Sequence, residues 1–313
     1  MSHIAKRFGT TQALADLSLV AAAGEIVGFL GPNGAGKTTA LKIALGIIDP
    51  DTGTRAVFGD SRPRRQMRRI GYLPEERGLY KSMTPEGVLT YFGALKGLSL
   101  RAARRRARRL LEETGLYAAR NRRIEKLSKG MAQKVQVLAT VVHGPDLLIL
   151  DEPFSGLDPV NQQVLESLIR AQREQGRTVV FSTHVMAHAE RLCDRIVLVA
   201  RGRTLFTGTV AEARATQGLR ITLALDRSLP TGLALPGVSR IDHVPEERER
   251  PWRLALMPGS GIGPVLEALI AAGLVIHDID VERPSLHDVF LALVGEDDGR
   301  KVTAPTAETG ERA

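Results

Sequence analysis

Nine residues near the start of the chain have the order of a phosphate-binding loop. The stretch GPNGAGKTT fits the pattern G-x-x-x-x-G-K-S/T and lies between an apolar run, EIVGFL, and a helical pattern, TTALKIALGII, the context that such a loop requires. Its backbone N–H groups can hold a β-phosphate, Lys37 can reach the β- and γ-phosphates, and Thr38 can offer its hydroxyl to Mg²⁺. The residues expected to contact a nucleotide are Gly31, Pro32, Asn33, Gly34, Ala35, Gly36, Lys37, Thr38 and Thr39.

Acidic and imidazole side chains end two later apolar runs. Asp151 and Glu152 end LLILDE, and His184 ends FSTH, so all three are expected at the carboxyl edge of a sheet, where doubly wound folds bind ligands. The aspartate can hold Mg²⁺ through a water, the glutamate can polarise an attacking water, and the histidine can contact a γ-phosphate. His188 follows His184 at the spacing of a zinc-binding pair, but no adjacent Glu or third ligand supports a metal site.

A second stretch, LSKGMAQKVQ, has the features of a helix start that accepts an anion. Ser128 is suited to cap the helix, and Gly130 permits a close approach to the backbone. Lys129 adds positive charge where the helix dipole is already positive. The chain therefore carries two segments that are suited to bind phosphate. The role of the second segment is not evident from these residues alone.

Composition and charge narrow the class of protein. The 313 residues have a formal net charge of +8 and one cysteine, Cys193, so no disulfide within the chain is possible and a reducing cytoplasm is expected. No apolar run approaches the roughly 20 residues that span a bilayer, and no signal-peptide core is evident. Arginines crowd the segment RAARRRARRLLEETG, but no aromatic residues interleave with them, so a solvated helix face is favoured and no nucleic acid is expected as a partner.

Alternating apolar strands and helices predict an α/β domain over residues 1–217, with a helical insertion at about 84–143 that opens on Thr84 and Pro85. Within it, TRAVFGD is predicted to be a strand. Residues 218–295 read as a small α+β domain without catalytic residues, and the polar residues 296–313 as a disordered tail.

Together these stretches resemble the ATP-binding-cassette (ABC) ATPases. The phosphate loop, LSKGM, LLILDEP, SGLD and STH occur in the order and spacing of that family over about residues 3–210. The segment ending PSLHDVFLALVG resembles the C-terminal extension of bacterial ATP subunits for sodium extrusion and drug efflux. The resemblance implies a P-loop fold, with a RecA-like parallel sheet, an antiparallel β part and a helical subdomain.

The family pattern also implies roles for single residues. Phe8 resembles the aromatic residue that stacks on adenine, Gly31–Thr39 the Walker A loop and Asp151 the Walker B aspartate. Glu152 resembles the catalytic base and His184 the switch histidine. Ser128 and Gly130 are retained from the LSGGQ signature, and Asp158 ends the stretch that resembles the D-loop between partner subunits.

Three departures from the family pattern are visible. Lys129 and Met131 replace the usual Gly and Gln of the signature, and Glu75 occupies the position of the Q-loop Gln. A carboxylate there can still ligate Mg²⁺ or its waters, so Thr38, Asp151 and Glu75 are the expected metal ligands. The sequence begins close to Phe8, so two alternatives are open for the family's first strand: either the start of the sequence is misassigned, or this edge of the sheet is shorter than in the family.

The resemblance also accounts for the second anion site. In such ATPases two nucleotide-binding domains pack head to tail, and each signature helix caps the ATP held by the other domain. A homodimer with two equivalent sites is the simplest form, bound to separate membrane-spanning permease subunits at the inner face of the cell membrane, with the helical block and the loop after Glu75 as contacts. An exporter is favoured over an importer by the C-terminal resemblance.

Two other functions remain open from the sequence. One is a non-transport ABC ATPase acting on ribosomes or nucleic acid, although such translation factors carry two cassettes in one chain and the repair types a long coiled coil. The other is a nucleotide-binding module that no longer turns over, which Glu75 would permit and the retention of Glu152 and His184 disfavours.

Overall fold

The computed structural model describes residues 1–76, 78–230, 232–244 and 251–302. They form two compact units, Met1–Gly208 and Thr209–Ala313. The sequence placed this boundary at 217, but a short helix, Val210–Ala215, packs on the last helix of the chain and so belongs to the second unit. A capping box between Thr209 and Glu212 begins that helix. Among the described residues, no helix is both long and apolar enough to cross a membrane.

The first unit is built on a mixed sheet. Its described strands are β1 (Ser2–Phe8), β2 (Thr11–Leu17), β3 (Ile26–Leu30), β4 (Thr52–Thr54), β5 (Ile70–Leu73), β6 (Leu147–Leu150), β7 (Thr178–Thr183), β8 (Arg195–Ala200) and β9 (Arg203–Gly208). They pair in the order β4-β1-β2-β9-β8-β3-β7-β6-β5. Strands β3, β6 and β7 are fully buried and pair in parallel, which explains the apolar runs LLIL in β6 and VVF in β7.

The antiparallel part of the sheet differs from the prediction in one place. β1 runs over seven residues and pairs with both β2 and β4. The predicted strand TRAVFGD is wrong beyond its first residue, since β4 ends at Thr54. A tight turn follows, in which Val57 and Asp60 exchange backbone hydrogen bonds and Gly59 has φ of 78°; such a backbone angle favours glycine and ends the extended conformation.

Helices flank the sheet and form the insertion. As predicted, Thr84 caps the first helix of the insertion and Pro85 is its first residue. The helices of the first unit are α1 (Lys37–Ala44), α2 (Pro85–Leu95), α3 (Leu100–Glu113), α4 (Lys129–Val141), α5 (Pro159–Glu174) and α6 (Met186–Leu192).

The second unit is a four-stranded antiparallel sheet with one core of its own. The described elements of this unit are α7 (Val210–Ala215), β10 (Arg220–Leu225), β11 (Val238–His243), β12 (Trp252–Leu256), α8 (Gly263–Ala271), β13 (Ile276–Glu282) and α9 (Leu286–Val302). The strands pair in the order β11-β12-β10-β13, and Leu223, Leu254 and Leu269 lie in that core. Helix α9 extends past Glu296, where the sequence placed the start of the tail, while 303–313 lie outside the described residues.

A buried carboxylate holds the helical insertion together. Glu86 of α2 is 6% exposed, and its Oε1 accepts hydrogen bonds from Arg104 Nε at 2.6 Å and Arg108 Nε at 3.1 Å, both on α3. Burial acts to raise the pKa of Glu86, but the hydrogen bonds and charges of Arg108 and Arg104 lower it below its usual value. The ionised carboxylate therefore stabilises the packing of α2 on α3.

We expect Glu86→Gln to lower the free energy of unfolding by about 2 kcal/mol at pH 7, because a partly buried ion pair is broken. Since the folded-state pKa is lowered, the stabilisation is present above the unfolded pKa of about 4.3 and is lost as pH falls through the folded value. The variant and wild type should therefore converge below pH 4 in urea unfolding. Glu113→Gln, which breaks the exposed pair with Arg109, is the control and should cost under about 0.5 kcal/mol; equal losses would contradict the role of Glu86.

Candidate functional site

The phosphate-binding loop joins β3 to α1 and is shaped by glycines. Gly36 directly precedes α1 and has φ of 98°, and a Cβ there would lie 2.5 Å from Leu14 Cδ2 and 2.7 Å from the backbone oxygen of Ala13. Gly34 also has a positive φ, and no atom lies within 4 Å of the position its Cβ would take. Because Gly36 has no side chain with which to cap α1, the first-turn N–H groups stay available to an anion.

The lysine of this loop is buried and held by three oxygens. Lys37 Nζ donates to the backbone oxygens of Gly31 at 2.7 Å and Pro32 at 3.2 Å. It also lies 3.2 Å from Glu152 Oε1, and both side chains are less than a tenth exposed. The ion pair therefore joins the loop after β3 to the end of β6.

A serine links the two carboxylates that follow β6. Ser182, in β7, donates its hydroxyl to Asp151 Oδ1 at 2.6 Å, and Ser182 Oγ accepts a hydrogen bond from the Glu152 backbone N–H at 2.9 Å. Glu152 has φ of 45°, a left-handed conformation that is unusual outside glycine. Asp151 Oδ2 is buried and has no hydrogen-bond partner among the described residues, which leaves one polar atom ready for an additional ligand.

The predicted histidine lies next to the same glutamate. His184 Nδ1 is 3.1 Å from Glu152 Oε2, and the histidine side chain remains half exposed. The structure thus brings Lys37, Asp151, Glu152 and His184 together at the carboxyl ends of β3, β6 and β7. His188 instead stacks on Phe154 at 4.1 Å in the interior, where burial lowers its pKa.

The carboxylates border an acidic cleft of about 360 Å³ that includes Glu75. Burial raises the pKa of Tyr72 to about 12, with further contributions from the charges of Asp151 and Glu75. Gln133, from α4, also lines the cleft and donates to the backbone oxygens of Pro153 at 3.1 Å and Ser155 at 3.3 Å. The glutamine therefore ties the signature helix α4 to the loop that follows the carboxylates.

The remaining predicted residues lie elsewhere. Phe8 ends β1 and is 47% exposed as a residue, and Lys6 Nζ lies 5.6 Å from the centre of its ring. Ser128 caps α4 by accepting from the Met131 N–H at 3.3 Å, and neither it nor Gly130 lines the acidic cleft.

Gly130 and Asp158 approach each other through one asparagine. A Cβ on Gly130 would lie 2.5 Å from Asn161 Nδ2, which donates to Asp158 Oδ2 at 2.6 Å. Asp158 also caps α5 by accepting from the Asn161 N–H at 2.9 Å, and these hydrogen bonds lower its pKa. The exposed starts of α4 and α5 thus form one surface of the chain, distinct from the lining of the acidic cleft.

Two residues at the site were missed by sequence reasoning, Ser182 and Gln133. Ser182 directly follows the apolar run VVF of a strand that was predicted to be buried, and that was the available signal. Gln133 occurs on a helix among other polar residues, so nothing in its sequence position distinguished it from a surface side chain.

Comparison with known proteins is consistent with this geometry. Residues 14–155 match the family model described as ABC transporter. An uncharacterized ABC transporter ATP-binding protein of Alkalihalophilus pseudofirmus is 38% identical over 85% of this chain and 98% of its own. The Nod factor export ATP-binding protein I of Burkholderia lata is 38% identical over 66% of this chain and 69% of its own. A solved ATP-binding subunit of an ABC transporter, 33% identical, superposes with a TM-score of 0.63 over 68% of this chain and 90% of its own.

The chain therefore belongs to the family of ABC transporter ATP-binding proteins, which bind and hydrolyse ATP. The resemblance inferred from its five motifs is confirmed, and so is the P-loop α/β fold.

Ser182→Ala tests whether the serine organises the two carboxylates. The change leaves Asp151 Oδ1 and the Glu152 N–H without their shared partner in a fully buried position. We expect a loss of about 2 kcal/mol in the free energy of unfolding, and at least a tenfold fall in kcat for ATP, because Glu152 loses the contact that orients it. The exposed Ser167→Ala is the control. Wild-type stability and turnover in Ser182→Ala would show that the link is dispensable.

Proposed function

We propose that two copies of this chain close on two Mg·ATP molecules and thereby power a separate membrane-spanning permease, in the direction of export. The observation that carries the proposal is the buried ion pair of Lys37 and Glu152 beside Asp151 and His184, at the end of a P-loop. All the groups needed to hold and hydrolyse a triphosphate are at this edge except a cap for the γ-phosphate. Ser128 and Gly130 supply that cap from a second chain.

Within one site, Gly31–Thr39 bind the phosphates through their backbone, and Phe8 stacks on the adenine. Lys37 moves from the carbonyl oxygens and Glu152 to the β- and γ-phosphates. Glu152 Oε1 is then free to accept a proton from the attacking water, while Oε2 stays beside His184. The contacts with Ser182 keep Glu152 oriented while its lysine partner leaves.

The donor set at the site suits Mg²⁺. Asp151 Oδ2 is buried without a partner among the described residues, and carboxylate and hydroxyl oxygens are the ligands that this ion prefers. Asp151 and Thr38 would hold it, with Glu75 at the border of the same cleft. When bound, Mg²⁺ neutralises the charge of the β- and γ-phosphates. Glu75 adds a carboxylate next to the phosphates, so the positive charge of the metal is needed even more.

The position of the signature residues supports a dimer. Ser128 and Gly130 begin an exposed helix end beside Asp158 and Asn161 and do not line the cleft of their own chain. A two-fold arrangement places this surface of each chain over the Walker A loop of the other and completes both sites at once. The positive end of the α4 dipole and Ser128 then face the γ-phosphate, and Asp158 lies at the contact between the chains.

Transport by this pair requires a permease, since none of the described helices can span a membrane. The helical insertion and the loop after Glu75 would contact it at the inner face of the cell membrane. Export is supported by the C-terminal resemblance and by a relative whose name states that it exports Nod factor. The transported substrate is a property of the permease.

Glu152→Gln should retain ATP binding and slow hydrolysis at least a hundredfold, the order expected when a general base is lost. The unhydrolysed ATP should hold two chains together, so gel filtration with Mg·ATP should show a dimer. Glu76→Gln, which alters a carboxylate lining the same cleft, is the matched control and should hydrolyse ATP normally. A persistent monomer with tightly bound ATP would contradict the two-chain site.

Mixing two inactive variants tests the sharing of sites directly. Lys37→Ala removes the Walker lysine, and Ser128→Arg blocks the helix start with a bulky cation, so each alone should be inactive. In a mixed dimer one site contains both substituted residues, and the other site contains the native Lys37 and the native Ser128. Mixing the two variants should therefore restore part of the ATPase activity. If Ser128 served the nucleotide of its own chain, every site would stay damaged. Absence of both activity and mixed dimers would reject the shared site.

A further inference from the structure

A long groove runs along the side of the first unit, away from the nucleotide edge. It lies between α3 and α5, has a volume of about 1000 Å³, and has Leu138 and Val141 of α4 in its lining. One end includes Arg177, which directly precedes β7. The acidic cleft lies beyond the other end of that strand, about 20 Å away at 3.3 Å per residue. The groove is therefore separate from the site of ATP hydrolysis.

The groove contains more positive charge than its own carboxylates can neutralise. Arginines 105, 106, 109 and 177 line it with a single carboxylate, Glu113, which binds Arg109 at 2.7 Å. Neither Arg105 nor Arg106 has an ion-pair partner among the described residues. Arg177 donates to the side-chain oxygen of Gln172, and its pKa is lowered by burial and by the charge of Arg106.

The charge is concentrated at one end. Arg106 lies against the turn after α4, where a Cβ on Gly144 would be 2.7 Å from its guanidinium. The charge of Asp146 acts on Arg177 and offsets part of its pKa lowering, but the Asp146 carboxylate is itself paired with Arg69 at 2.6 Å. At the opposite end, Thr114 and Asn161 border one small apolar pocket, so α3 and α5 run in opposite directions along the groove. Between these ends the lining includes the apolar side chains of Leu110, Val164 and Leu168, together with the polar side chains of Gln163 and Ser167.

We propose that this groove binds an amphiphile with a phosphate monoester head and a hydrocarbon chain. The two guanidinium groups of Arg106 and Arg177 match the charge of a phosphate dianion and can bind it with paired hydrogen bonds, whereas a carboxylate would neutralise only one of them. The chain of the ligand would lie along Leu110, Val164 and Leu168. The volume and mixed lining agree with those of small-molecule sites. Such a ligand would bridge the helical insertion to α5.

The test is isothermal titration of the full-length protein with octyl phosphate below its micellar concentration. Lys37→Ala is used alongside wild type, because the Walker A loop also accepts phosphate. We expect one molecule to bind per chain in both proteins, and inorganic phosphate and octyl glucoside to bind at least about tenfold more weakly, since each lacks one half of the ligand. Vesicles containing phosphatidic acid distinguish a lipid from a soluble source, and either source fits the proposal.

Two variants alter the groove in different ways. Arg106→Gln with Arg177→Gln removes the charge, and Ser167→Phe, at an exposed position in the lining, fills the groove without changing a charge. Each should weaken binding at least about tenfold while thermal unfolding stays unchanged. Arg101→Gln, on α3 but outside the groove, should bind as wild type does. Binding that is absent from wild type, lost in Lys37→Ala, equal for inorganic phosphate, or indifferent to both groove variants would overturn the proposal.

Discussion

The buried contact between Lys37 Nζ and Glu152 Oε1 is the interaction on which the site depends. Two charges that are less than a tenth exposed are tolerated only when they are paired and further hydrogen-bonded. Gly31 and Pro32 supply oxygens to the lysine, and Ser182 and His184 hold the glutamate. The pairing is thus possible only because parallel strands bring three separate segments to one edge of the sheet.

The Lys37 ammonium group compensates the charge of the Glu152 carboxylate, so both charged groups can remain buried. A phosphate bound to Lys37, as proposed above, would compete with Glu152 for the lysine. Under that proposal, phosphate binding and release of the Glu152 carboxylate are coupled. The left-handed backbone of Glu152 is maintained by Ser182, which bonds its N–H from the neighbouring strand.

The helical insertion is coupled to this edge through α4. Its first residues carry the signature, while Gln133, one turn further, holds the loop after the two carboxylates. The other helices of the insertion are joined by the buried Glu86 and its arginines. A movement of the insertion would therefore reach the loop that follows Glu152 through the contacts of Gln133. The groove lies between α3, which belongs to the insertion, and α5, which does not. A ligand bound in the groove, as proposed above, would therefore also affect a movement of the insertion.

The sequence by itself was sufficient for the family, the P-loop fold and most helices and strands, because those depend on local patterns: glycine spacing, apolar periodicity and helix caps such as Thr84 and Ser128. It also placed Lys37, Asp151, Glu152 and His184 at strand ends, which the parallel sheet then brings together. Only the tertiary structure revealed Ser182 and Gln133, whose partners lie on other elements. It also decided the extent of β4, the assignment of α7 to the second unit, and the unneutralised arginines of the groove. These features depend on which side chains meet across the fold, and no local pattern carries that information.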